Sequence, residues 1–199
     1  FWICFECTGS GVHQVSEGRA FQPYGSALMP LQIPTERMMA LPRLHVPMDL
    51  GRIVDFPILA RCLDVWRSNA RNGLPATVDP TEMPLEAIKG ISLVDRDGES
   101  GEWIVRLAST LMDQGHGQSM SGCVLSQTYR DEDFPGVLER LEAILAAGEP
   151  NLARHEFTGS RNRRWAYVRL ILPLSSDGVA RDRYALLYDP ATFGRRIGT

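Results

Sequence analysis

The stretch Arg164–Leu174 constrains the fold of this chain most, because it reads as a strand with two different faces. Ala166, Val168, Leu170, Leu172 and Leu174 alternate with Trp165, Tyr167, Arg169 and Ile171, and a strand points successive side chains to opposite faces of its sheet. The first set suits an aliphatic interior facing helices. The second is aromatic and partly charged, so the opposite face needs a cover of its own. A sheet covered on both sides is the expectation.

The surrounding elements supply material for both covers. Phe56, Leu59, Leu63, Trp66 and Ala70 recur at steps of three and four, which gathers them on one face of a helix with Arg61, Asp64, Arg67 and Arg71 largely off it. Asn72-Gly73 supplies a stop, with Pro75 beyond it. This stripe is the candidate cover for Trp165, Tyr167 and Ile171. Residues 84–88 read as a helical turn with proline near its start, and residues 91–94 and Trp103–Leu107 as strands joined across Asp97-Gly98. A short helix is predicted over 108–114, ended by Gly115, with irregular structure over 117–129. Asp133 is a candidate N-cap for an amphipathic helix striped by Phe134, Val137, Leu138, Leu141, Ile144 and Leu145 and ended by Gly148 and Pro150. Asn151–Thr158, Arg164–Leu174 and residues 181–188 are the last strands. Two strands, a helical crossover and three more strands make an α+β order. Residues 1–50 carry scattered Gly and Pro with no sustained period, which predicts an extended or disordered arm before a domain over 51–192 and a tail over 193–199.

With 199 residues the chain can bury one substantial core. Its net charge of −3 gives no electrostatic footprint for nucleic acid or an anionic membrane. Apolar runs such as 168–174 are interrupted by Arg169 or Pro173 and fall well short of the roughly 20 residues that span a bilayer. The opening Phe1-Trp2-Ile3-Cys4-Phe5 has no basic leader, so a reducing cytoplasm is the expected setting. The chain begins without methionine, and Met29, Met38 and Met48 are candidate natural starts. Cys4 and Cys7 have metal-ligand spacing with His13 nearby, yet Cys62 and Cys123 lie far along the chain, so unpaired thiols are expected and no metal.

A further set of residues carries a family resemblance. Trp66 in the first helix is followed by Asp79-Pro80 in a Pro-rich link, then by a strand ending Arg106-Leu107, by Gly115 and Gly122, and by Leu172-Pro173-Leu174-Ser175 with Asp177-Gly178 after it. In this order, over about residues 54–190, the chain resembles a PAS domain, and within that superfamily a divergent bacterial subfamily of short, often stand-alone chains. Ala108-Ser109-Thr110 departs from the pattern, which has a glycine before the threonine. The resemblance implies a five-stranded antiparallel sheet with short helices and a connecting helix on one face, plus an N-terminal amphipathic helix. It also implies a non-catalytic sensory or regulatory domain of bacterial signalling, acting through small-ligand sensing, protein interaction or both. The alternative is a homodimerising interaction adaptor without a ligand, and a third reading is a small enzyme on an α+β scaffold.

If a ligand is bound between sheet and helices, a small apolar one is expected. Its wall would draw on Val105, Leu107, Leu111, Met112, Val137 and Leu138, and on Leu141, Leu145, Val168, Leu170 and Leu172. A homodimer or a signalling partner is expected to use Phe56, Leu59, Leu63 and Trp66 together with Trp165, Tyr167 and Ile171, because related modules pair through such a flanking helix. No histidine shares a motif with a nucleophile and an orienting carboxylate, so no catalytic residues are assigned. Haem is a cofactor of some PAS domains, but residues 134–147 hold no histidine, which leaves His155, ahead of His116, as the nearest candidate ligand. Cys123 and Gln127 have the spacing of the flavin-reactive segment of light-sensing relatives, but Gly122 and Val124 replace its asparagine and arginine. Neither cofactor is expected.

Overall fold

A computed structural model describes residues 41–70, 73–159 and 162–196. The elements are β1 (Leu41–Met48), α1 (Pro57–Asn69), β2 (Ile91–Arg96), β3 (Trp103–Leu107), α2 (Thr110–His116), α3 (Phe134–Ala147), β4 (Asn151–Thr158), β5 (Arg164–Leu174), β6 (Arg183–Tyr188) and β7 (Gly194–Arg196). Short 3₁₀ turns occupy Leu50–Asp55, Leu85–Gly90 and Leu125–Gln127. The fold is α+β. Its sheet runs β1-β4-β5-β6-β2-β3, every pair is antiparallel, and β7 joins β5 beyond the end of β6.

Both faces of the sheet are covered. On one, α1 lays Leu59, Cys62, Leu63 and Trp66 against Val168, Leu170, Leu172 and Leu174 of β5 and Ala185 and Leu187 of β6. On the other, α2 and α3 set Leu111, Met112, Leu141 and Leu145 against Tyr167 and Ile171 of β5 and Tyr184, Leu186 and Tyr188 of β6. The facing expected from the sequence is therefore inverted. Alternation separates two sets of side chains but does not say which cover each receives. The aliphatic set takes α1 because its even surface admits a close-packed helix, fixed by the Trp66 indole Nε1 donating to the carbonyl of Pro173 at 2.9 Å. The aromatic set, with Arg169 among it, receives the looser α2–α3 cover.

Two segments read as arm and tail belong to the sheet. β1 pairs with β4 from Leu41 opposite Thr158 to Met48 opposite Leu152, with an irregularity between Pro42 and Leu44. Pro42 and Pro47 read as breakers, but a proline is tolerated on an edge strand, where a missing N–H costs no ladder bond. β7 is too short to show a period. It is set by Asp189 N donating to Val168 O at 3.0 Å and Val168 N donating to the Thr192 hydroxyl at 2.9 Å, which carries the chain from β6 to a second pairing on the same strand. Among the described residues the sheet thus runs from Leu41, inside the segment read as an arm, to Arg196, inside the segment read as a tail. Residues 1–40, with Cys4, Cys7 and His13, lie outside the described residues.

Helix ends follow local chemistry. Ser109 caps α2 by accepting from Met112 N at 3.1 Å, and its own N–H donates to the Ser92 hydroxyl at 2.9 Å, which anchors the helix to β2. Gly115 does not end α2; it is buried inside it, where a Cβ would meet the Phe157 ring at 2.9 Å, and Gly117 in the left-handed region is the stop. Asp133 stands at the N-cap position of α3 without a side-chain cap bond.

Candidate functional site

Three neighbouring strands build the wall under α2 and α3. His155 on β4 pairs with Tyr167 on β5, while Arg169 on β5 pairs with Ala153 on one side and Tyr188 on the other. Ala153 is small and fully buried, so the register leaves room beside the Arg169 side chain. Met112 of α2, Val137 and Leu141 of α3, and His45 of β1 close the space, leaving a cavity of about 290 Å³. A second depression of about 570 Å³ between β1 and the start of α1 is lined by Val46, Phe56 and Val168, and its Arg52 and Arg154 are already paired with Asp55 and Glu156. The first cavity is the better site because two of its guanidiniums, Arg140 and Arg169, have no hydrogen-bond partner among the described residues.

Those groups are aromatic and basic. The rings of His155 and Tyr167 stack with centroids 5.5 Å apart and planes 11° apart, and Tyr188 meets Tyr167 edge-on at 4.9 Å. His45 Nδ1 and His155 Nε2 share a hydrogen bond at 3.2 Å. Arg169 projects into this cluster with its Nε buried and without a hydrogen-bond partner. Among the described residues no carboxylate pairs with Arg169 or with Arg140, the exposed arginine that α3 brings to the cavity rim. Glu156 also lines the cavity, but Arg154 and Arg164 hold it at 3.4 and 3.3 Å.

Proton affinities follow from this setting. Burial holds His155 well below the ordinary imidazole range, and the positive charges of Arg169, His45 and Arg140 push the same way. His45 is lowered first by burial, then by Arg169 and Arg140. Burial lowers His116 to about 4 against the opposing charge of Asp113. Tyr129, Tyr167, Tyr184 and Tyr188 are all raised, chiefly by burial. At neutral pH the wall therefore presents neutral rings beside three guanidiniums, those of Arg140 and Arg169 and that of Arg43, whose Nε donates to the Thr158 hydroxyl at 3.0 Å.

The structure divides the residues expected at a pocket. Val105, Met112, Val137 and Leu141 line the cavity, whereas Leu111, Leu138 and Leu145 pack in the same layer without lining it. Leu107 is 45% exposed, and Val168, Leu170 and Leu172 lie under α1 on the opposite face. Of the expected interface residues, Leu59, Leu63 and Trp66 are buried against the chain's own sheet with Phe56 partly buried beside them, while Tyr167 and Ile171 face the cavity and Trp165 packs in that layer. The α1 stripe, expected to serve a dimer, packs on the chain's own sheet. His155, named as the nearest haem candidate, has Nε2 engaged by His45, and Cys123 lies outside the cavity wall.

The expected apolar lining missed Arg169, Arg140, His45, Tyr129, Tyr184 and Tyr188. One signal was present in the sequence: an arginine in the middle of an apolar strand, beside a last strand in which Tyr184 and Tyr188 alternate with aliphatic residues. Among the described residues no group of three or more His, Cys, Asp or Glu side chains is placed to hold a metal ion. No helix among them is long and apolar enough to cross a membrane. No protein-family model matches the chain, and no curated protein matches it.

Proposed function

We propose that this chain is a non-catalytic, PAS-like sensory or regulatory domain of bacterial signalling, which takes a small molecule between its sheet and α2–α3 and passes its occupancy to a protein partner in the cytoplasm. The observation that carries this reading is the cavity of about 290 Å³, near the lower end of the usual size for small-molecule sites, with polar groups converging on apolar walls. Support comes from element order: β2–β3, α2–α3 and β4–β6, in a sheet that also carries β1 at one edge and β7 on β5, are compatible with the hairpin, helical crossover and three strands that the resemblance implies.

Residues that carry the resemblance also meet in space. Trp66 bonds the carbonyl of Pro173, Ser175 N donates to Pro75 O at 3.0 Å, and Asp79 accepts from Thr81 N in the turn between them. Asp177 Oδ1 accepts from Val179 N, Ala180 N and the Ser175 hydroxyl, which explains the Ser and Asp of that segment as turn formers.

Native mass spectrometry of the purified protein tests the reading. A retained small molecule, released on denaturation, is the expected result. A clean apo mass that stays clean after incubation with cell extract would transfer preference to the interaction adaptor.

A further inference from the structure

Arg169 poses a problem of charge. Its strand neighbours are apolar or aromatic, its Nε is buried without a partner, and no carboxylate among the described residues answers it. Arg169 as a whole is half-buried, but a cation with a donor cut off from water and unpartnered carries a cost, and such groups are normally matched by an anion with good hydrogen-bond geometry. The cavity puts Arg140 at the rim of the same space and Arg43 in its wall, so three guanidiniums face it. Arg43 donates to the Thr158 hydroxyl at 3.0 Å, while Arg169 and Arg140 have no hydrogen-bond partner among the described residues, and a guanidinium fork matches the two oxygens of a carboxylate. The tyrosine and imidazole rings add neutral polar groups that do not compete for the charge. Opposite them, Val137, Leu141 and Ile144 of α3 with Met112 of α2 offer an apolar wall that an inorganic anion would leave unfilled.

We propose that the cavity binds a small organic carboxylate, its acidic head held by Arg169 and Arg140 and its apolar or aromatic body lying against α3 and the tyrosine cluster. This rests on the ligand-binding reading above and names the class of ligand. Phosphate is disfavoured because it carries a head without a body. A neutral apolar molecule is disfavoured because it leaves Arg169 unanswered.

The test uses the full chain with benzoate and hexanoate as probes, their neutral counterparts benzamide and hexanamide, and inorganic phosphate, read by calorimetric titration and by the shift in melting temperature. At least one carboxylate should raise the melting temperature with concentration and bind at least tenfold more tightly than its amide. Arg169→Met should abolish that preference while melting no lower than the empty wild type, since it removes the buried, unpartnered Nε donor together with the charge. Arg169→Lys, which keeps the charge, should retain a reduced preference. Equal binding of acid and amide, unchanged binding by Arg169→Met, phosphate binding more tightly than both carboxylates, or no shift with either carboxylate would each overturn the assignment. If native mass spectrometry instead retains a neutral compound, the carboxylate is refuted and the sensory reading stands.

Discussion

Gly90 marks a place where one backbone passes too close to another for any side chain. A Cβ built there would collide with the carbonyl oxygen of Tyr188, a cavity-wall residue whose own position depends on β6 staying where it is. Gly90→Ala should therefore push β6 and destabilise by about 1–3 kcal/mol, the usual range for overpacking. Gly98, in the β2–β3 turn, has nothing within 4 Å of a built Cβ, and Gly98→Ala should stay within about 0.5 kcal/mol of wild type. Urea unfolding of both variants checks the contrast, and equal midpoints would refute the close approach. Leu170 is fully buried under α1, and Leu170→Ala should cost about 2–5 kcal/mol in the same experiment.

At the scale of elements, α1 shows what a sequence reveals and what it withholds. The stripe of Phe56, Leu59, Leu63 and Trp66 was legible because a helix repeats every 3.6 residues, and Trp103–Leu107, Asn151–Thr158 and Arg164–Leu174 were legible because strands repeat every two. Which layer α1 covers was not legible, since period fixes a face and only volume and shape choose its partner. β1 was hidden by its prolines, and the cavity by long-range pairing: Ala153 beside Arg169, and His45 beside His155, meet only through the register. Two predictions follow from the corrected positions. Leu63→Glu places a carboxylate in a core layer, so its expected effect is a lowered urea midpoint; sedimentation unchanged by the mutation, with stability intact, would contradict this packing. A chain beginning at residue 49 lacks β1, bares the edge of β4 and removes His45 from the cavity, so it should melt well below the full chain. Equal melting temperatures would show that β1 contributes nothing to the sheet.

For the whole molecule, buried titratable rings bound the pH range of stability. His45, His155 and His116 are all held below 6.5 in the folded chain, so below that pH the unfolded state binds more protons and stability falls as pH drops. His116 adds to that decline until about 4, where the folded chain also takes up its proton. The four tyrosines act at the other end: the unfolded chain ionises near 10.0 while the folded chain holds its protons, so stability falls as pH rises past that value. Urea midpoints should form a plateau between about pH 7 and 9 and decline on both sides. A profile flat from pH 7 to 5 would show that the imidazoles are solvated.

β5 joins these properties in one segment, since Tyr167, Arg169 and Ile171 face the cavity and the alternating Val168, Leu170 and Leu172 lie under α1. A substitution in β5 is thereby assigned its layer by parity: odd positions from 167 to 171 alter the cavity wall, and even positions from 168 to 172 alter the core under α1.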